Sequence, residues 1–409
     1  MKFFRCVSAI VVSSFIGTSA GVVFGQTPAP APAQSARQFR VLELEGTPYQ
    51  RGLKHGKVLR EQIQAGLALW KENLRSIARM GGSDQQIDPD VFIKKFMAET
   101  NYVPAIKKWT PGLLEEVRGI AEGAGVGFPT MLTFQLVDEY WVNGAAIVKE
   151  HCSAMGISAT SRHSAVVAQN MDLEGFRDGF QTLLHIKEPS GLEQYILTMP
   201  GLIAMDGMNN RGVGVATNTV AQLAHNRDGL PVAFVVRGIL ERGSMAEVES
   251  FLKSVHHASG QNYTVGAKGR AAYFEASGGK VIEVSSNGAF IYHTNHPLVN
   301  DDYNEESLKE ITNPNPNDNT RTRYEALKRH LRIDPGGDKV IPLIQETLRS
   351  HDSEQNPVCR QLAGKDAGFS YASMIMVLAP EHPYLIAAPG PPDRYQYAEF
   401  HFSGASQKK

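Results

Sequence analysis

The sequence predicts an α+β fold: a four-layer αββα sandwich in which two antiparallel sheets pack together between outer layers of helices. Two observations lead there. Residues 41–150 read as mostly helical, whereas from residue 152 the chain becomes a meander of short strands, then helices, strands, helices and closing strands. Strands joined by short polar turns pair antiparallel, and helices gathered into runs cover sheet faces instead of alternating with parallel strands. A third observation removes the main competitor. No Gly-x-Gly-x-x-Gly or Walker loop stands between a strand and a helix, so a Rossmann or P-loop fold is excluded. Gly207, Gly212 and Gly214 read as a tight hairpin turn.

In chain order, Lys2 and Arg5 form a short basic head, and residues 7–24 are uncharged and rich in Val, Ile, Phe, Ala, Gly and Ser. That pattern predicts an export signal over 1–25. A membrane anchor is the competing reading. The Gly and Ser interruptions and the Pro/Ala-rich residues 27–33 favour the signal and a tether over 26–40. Residues 41–44 read as a strand. Apolar residues Val58, Leu59, Ile63, Leu67, Leu74 and Ile77 recur at helical spacing over 56–79. Asp88-Pro89 and Thr110-Pro111 predict capped helix starts for 88–99 and 111–124. Asp138-Glu139-Tyr140-Trp141 reads as ordinary packing. Strands are expected at 153–159, 164–168, 182–186, 195–199 and 212–217. Helices follow at 233–242 and at 244–255, the latter with Ser244 capping and Glu247 at capping-box spacing. Strands at 262–267, 271–276, 280–285 and 290–293, helices at 321–331 and 343–348, and strands at 372–378, 384–387 and 397–402 complete the chain.

Composition bounds the function. The 409 residues are 42% hydrophobic and 20% charged, with a net charge of −1. Nothing basic invites nucleic acid, and one large core or two domains can be buried. Of three cysteines, Cys6 leaves with the signal, so the mature chain keeps Cys152 and Cys359. Either they form one disulfide in an exported binding protein, or Cys152 is a free nucleophile.

A thiol nucleophile needs a base. His163, His185, His225, His256, His257, His293 and His296 lack a papain-type context, and His151, adjacent to Cys152, points to the opposite strand face. Scission between His151 and Cys152 offers another base: the freed α-amino group of Cys152, with a pKa of about 7.7–8.0. Neither His256-His257 nor His293-x-x-His296 has zinc-site spacing, so no metal and no other cofactor is expected.

The chain resembles the acyl-CoA:6-aminopenicillanate acyltransferase family of N-terminal-nucleophile hydrolases, with cholylglycine hydrolases and acid ceramidases as more distant relatives. The resemblance runs in patches from about Leu42 to Phe402. It rests on Gly46-Thr47-Pro48-Tyr49-Gln50-Arg51-Gly52, Cys152-Ser153, Gln169-Asn170-Met171-Asp172, Gly207-Met208-Asn209-Asn210-Arg211-Gly212, Arg237-Gly238, Thr294-Asn295-His296-Pro297, Thr320-Arg321-Thr322-Arg323 and Ala372-Ser373. It implies the N-terminal-nucleophile fold, with residues 41–151 as a mostly helical first chain and 152–409 as the second. Cys152 would be the nucleophile released by autocleavage after His151, where the family often has glycine. Asp172 would hold the amine and Asn295 would donate to the oxyanion. Asn218 is expected as a second oxyanion or substrate contact. Asn170 is expected as a supporting contact, with a satisfied turn amide as the alternative. Arg323, or Arg321 one register away, would stand at the site mouth. The implied activity is an exported autoproteolytic amidohydrolase acting on a small N-acyl amide or short peptide, its two chains staying associated, with no membrane span after signal cleavage. Acyl transfer of the penicillin acyltransferase type is the alternative.

Overall fold

The structure, a computed structural model, describes residues 37–80, 88–143 and 152–404. The expected signal over 1–25, most of the tether and the junction residue His151 lie outside them.

Strand β1 (Arg40–Glu45) leads into seven helices: α1 (Pro48–Val58), α2 (Arg60–Met80), α3 (Pro89–Glu99), α4 (Tyr102–Trp109), α5 (Pro111–Ala124), α6 (Phe128–Phe134) and α7 (Val137–Asn143). The meander follows as β2 (Ser153–Ile157), β3 (Ala165–Glu174), β4 (Thr182–Lys187), β5 (Glu193–Thr198), β6 (Asp206–Asn209) and β7 (Val213–Thr219). Then come α8 (Val232–Leu240), α9 (Met245–Ser254), β8 (Gln261–Ala267), β9 (Arg270–Ala276), β10 (Val281–Ser285) and β11 (Ile291–His293). The chain closes with α10 (Leu308–Thr312), α11 (Asn319–His330), α12 (Val340–Leu348), β12 (Gly368–Leu378), β13 (Tyr384–Ala388) and β14 (Ala398–His401).

The four expected layers are present. One sheet runs β1-β4-β5-β6-β7-β8-β9-β10, the other β11-β2-β3-β12-β13-β14. Every pair is antiparallel except β1 with β4, so the larger sheet is mixed where the sequence suggested a purely antiparallel one. The parallel pair is possible because the chain between the two strands is long enough for a crossover. Alternation decides the layers. Met155 and Ile157 of β2, Val166 and Ala168 of β3, and Ile375 and Val377 of β12 form one cluster with Leu327, Val340, Ile344 and Leu348 of α11 and α12. The opposite face packs sheet on sheet. A Cβ built on Gly266 of β8 would stand 2.3 Å from Leu378 and 2.9 Å from Val167, so only glycine lets the sheets approach so closely there.

Other differences are local. Residues 48–80 form two helices broken at Leu59 instead of one, because Thr47 and Gln50 make a complete capping box that starts α1 early. Thr110 flanks α5 without capping it; its hydroxyl donates to the Ile106 carbonyl of the preceding helix. Asp88 and Ser244 do cap, accepting from Val91 and Glu247. Strand β3 runs through Asp172 to Glu174, so the Gln-Asn-Met-Asp run is strand and not turn. The patch from Gly46 to Gly52 has a packing explanation: a Cβ on Gly52 would lie 1.9 Å from the Glu116 carbonyl, and one on Gly119 2.3 Å from that of Tyr49. Helices α1 and α5 therefore cross backbone to backbone.

Candidate active site

Alternation along β2 sends Ala154 into the gap between the sheets and Met155 toward α11 and α12. Cys152, just before the strand, is buried in the same cluster as Ala154, and Ser153 turns toward α11. The β2–β3 register pairs Ser153 with Asn170. One step further along β3 lies Met171, opposite Cys152, and one more brings Asp172 just past it, on the face shared with Asn170 and Ser153. Register alone thus sets a carboxyl beside the start of the Cys152 residue.

Arg323 ties the site together. It lies one turn before Ala326 and Leu327 on the buried side of α11, whereas Arg321 pairs with Asp318 on the helix's first turn. The buried Arg323 guanidinium donates to the Cys152 carbonyl, to Ser153 Oγ at 3.0 Å, to Asn295 Oδ1 at 3.0 Å and to Asn319 Oδ1 at 2.8 Å. Burial pulls its pKa down to about 10 against the attraction of Asp172 and Cys152. Asn295 is placed by Thr320 Oγ1, which accepts its backbone N–H at 2.8 Å. Its side-chain Nδ2 donates to the Thr219 carbonyl at 3.0 Å, leaving the second amide hydrogen available.

Asp172 accepts from Ser370 Oγ at 2.8 Å, while its Oδ2 is buried with no partner. Burial lifts the carboxyl to about 7, although Arg360 and Arg323 oppose the shift. Asn218 faces the gap between the sheets: Gly214, four residues earlier on β7, meets Met376 and Leu378 across it. The Asn218 Oδ1 accepts from Asn262 at 2.9 Å, and its Nδ2 is buried and unpartnered. Asn170 differs from the others. Its amide donates to the Leu348 and Val358 carbonyls at 2.7 and 3.0 Å, so it fastens the loop after α12 instead of facing a ligand.

Sequence reasoning passed over Ser153, Asn319 and Ser370, which orient Arg323 and Asp172, and the pair Asp138–Glu139. Asp138 accepts from Thr219 Oγ1 and Gln261 Nε2, both at 2.9 Å. Glu139 accepts from the Val232 N–H and Ser259 Oγ, and burial with Asp138 beside it lifts it to about 8. The available signal was two consecutive acids in an apolar helix, thirteen and fourteen residues before the cysteine. Three of the surveyed histidines have other work: His185 lies between Glu43 and Glu193, His293 binds Glu275, and His296 binds Thr320. The disulfide alternative is overturned, since Cys152 and Cys359 are not joined to each other. Cys359 donates instead to Asp393.

The profile of the family described as acyl-coenzyme A:6-aminopenicillanic acid acyl-transferase matches residues 159–369, half of the chain. The chain belongs to that family. The match spans Asn170, Asp172, Asn218, Asn295 and Arg323 and begins seven residues after Cys152. Among curated proteins, the chain is similar to Protein dcd1A of Dictyostelium discoideum, 24% identical over 231 residues, 50% of this chain and 50% of that protein. The chain thus spans about half the length of that relative. Among solved structures, a variant of the conjugated bile acid hydrolase from Clostridium perfringens matches at 12% identity and a TM-score of 0.37, covering 61% of this chain and 97% of the other. Penicillin V acylase from Agrobacterium tumefaciens matches at 14% and 0.39, covering 58% and 82%.

Proposed function

We propose that this member of the acyltransferase family is an exported, self-cleaving cysteine amidohydrolase that cuts a carbon–nitrogen bond in a small N-acyl amide or short peptide. One observation carries the reading: a buried arginine holds both the carbonyl of Cys152 and the side chain of Asn295, beside a buried carboxyl with a spare oxygen. Export rests on the basic head and apolar residues 7–24; no helix among the described residues is long and apolar enough to cross a membrane.

In the precursor, the Cys152 thiol attacks the His151 carbonyl, the amide becomes a thioester, and water hydrolyses it. The products are a carboxylate at residue 151 and a free amine on Cys152. In the mature protein that amine takes the thiol proton, directly or through one water, as the sulfur attacks the substrate carbonyl. The Asp172 Oδ2 accepts from the amine and holds it in place. The tetrahedral oxyanion receives the second Asn295 amide hydrogen and the unspent Asn218 Nδ2, amide donors that bring no titrating charge. Arg323 keeps the Cys152 backbone and Asn295 in register. The amine leaves with the proton, and water releases the acyl group. Transfer to an amine acceptor is the competing outcome; acyl-CoA is a poor donor for an exported protein. Candidate substrates include short or modified peptides, lipid amides, and bile-acid or penicillin amides.

The test is denaturing electrophoresis with N-terminal sequencing. Wild type is expected to give two fragments, the second starting at Cys152, and to hydrolyse N-acyl amides. Cys152→Ala is expected to give one band, with activity down by about 10⁴-fold or more. A fully active wild type recovered as one unbroken chain overturns the proposal.

A further inference from the structure

We propose that His351, Cys359 and Asp393 form a binding site for a thiophilic divalent cation, zinc above all, which clamps the loop that supports Asp172. The three residues come from separate segments: His351 follows α12, Cys359 lies in the loop before β12, and Asp393 lies between β13 and β14. One ligand atom from each falls within 4.8 Å of the others. His351 Nε2 stands 3.1 Å from Asp393 Oδ2, and Cys359 Sγ 3.2 Å from Asp393 Oδ1. Tetrahedral zinc, with bonds of about 2.0–2.1 Å to nitrogen or oxygen and about 2.3 Å to sulfur, sets its ligands roughly 3.3–3.5 Å apart. The two short contacts, which reach different Asp393 oxygens, lie just inside that spacing, and the widest side of the trio, within 4.8 Å, has to draw in to reach it.

The donor chemistry is selective. Thiolate with imidazole favours zinc over magnesium or calcium, which want oxygen alone. Three protein ligands leave one position for water. The sulfur is fully buried, whereas the His351 side chain is 45% exposed, so one wall is closed and the other gives entry. Asp393 already has an outer partner: Gln361 Nε2 donates to its Oδ1 at 2.6 Å, the kind of second contact that orients ligating carboxylates. On binding, the Cys359 S–H proton leaves to solvent and the sulfur lone pair forms the new bond. Imidazole and carboxylate contribute lone pairs, and nothing is oxidised or reduced.

The position gives the cation something to do. Val358, just before the sulfur residue, offers its carbonyl to Asn170. Arg360, just after it, gives its N–H to Ser370 Oγ, which donates to Asp172. A cation on Cys359 would fix both ties at once.

The experiment uses the full chain with Cys152→Ala in the background, so that Cys359 is its only thiol after signal removal. Titration with zinc alone is expected to give one ion per chain, and cobalt to give a thiolate-to-cobalt charge-transfer band. Cys359→Ser should abolish the band, and His351→Ala should weaken zinc by about 10–100-fold. Zinc should raise the melting temperature of the parent and not of Cys359→Ser. Absence of zinc binding, or binding unchanged in His351→Ala, overturns the proposal and leaves a hydrogen-bonded trio only. His351 is exposed, so that variant decides even if Cys359→Ser fails to fold.

Discussion

Two buried charged clusters in this protein look alike by composition and differ in what they leave over. In the first, Glu116 of α5 accepts from Arg237 of α8 through both oxygens, at 2.7 and 3.1 Å, and from Arg51 of α1 at 3.2 and 3.3 Å. Burial works against the Glu116 charge, but the two guanidiniums outweigh it and hold the carboxyl below its usual range. In the second, Asp172 also has two arginines nearby, yet burial wins and the carboxyl rises to about 7. Its Oδ2 has no partner, and neither does Nδ2 of Asn218 on β7. The first cluster fastens three helices, with every carboxylate oxygen used and only Arg237 Nε left without a partner. The second keeps polar capacity unspent in a dry site, which costs stability and suits a group awaiting a ligand or a new chain end.

The comparison can be broken at several points. The largest effect is expected for Asp172→Asn: a roughly 10²–10⁴-fold loss of amide hydrolysis by the cleaved chain, with unfolding free energy unchanged or higher. Urea titration beside steady-state kinetics checks both. A stability loss as large as that at Glu116 would make Asp172 a structural residue.

Next is Arg237→Ala, expected to destabilise by about 3–5 kcal/mol because it strands a buried charge. Activity per folded molecule should hold, read at a temperature where the variant is still folded.

The two centres should also answer pH with opposite signs, best measured on uncleaved Cys152→Ala. The Glu116 carboxyl is depressed, so its contribution is present above the ordinary carboxylate range and is lost on acidification below it. The Asp172 carboxyl is raised from 3.8 to about 7, so the folded chain binds the extra proton and stability falls as pH climbs through that window. Asp172→Asn should lessen the decline between about pH 4 and 7, to which the raised carboxyls of Asp206 and Glu139 also contribute, and Glu116→Gln should leave it in place.

The smallest effect belongs to Ser153→Ala, which removes one of the contacts orienting Arg323. A fall of about 10-fold or less in self-cleavage rate is expected, in line with roughly 1 kcal/mol for one hydrogen bond. It is followed by the rate at which the two bands appear.

Much of the site was legible because its pieces are local. Cys152 stood out as one of two cysteines outside the expected signal, ahead of a strand pattern. Asp172 and Asn170 shared a parity, while Arg321 and Arg323 stayed alternatives until α11 placed Arg323 on its buried side. The same locality misled in places. Arg51 and Arg237 belong to the family-like patches, yet their partner is Glu116, which no spacing rule connects to either. Asp138 and Glu139 read as packing, because nothing in the run Asp-Glu-Tyr-Trp says that Thr219, Gln261 and Ser259 will meet them.

The sequence by itself determined the layers, the main run of strands and helices, and the shared face of Asn170 and Asp172, since periods of 2 and 3.6 and the capping residues are properties of neighbours along the chain. Only the tertiary structure decided that β1 pairs in parallel with β4, that Cys152 and Cys359 stay apart as thiols, and that His351, Cys359 and Asp393 converge. Those outcomes depend on which surfaces bury each other across large separations in the chain, and packing of that kind leaves no local pattern to read.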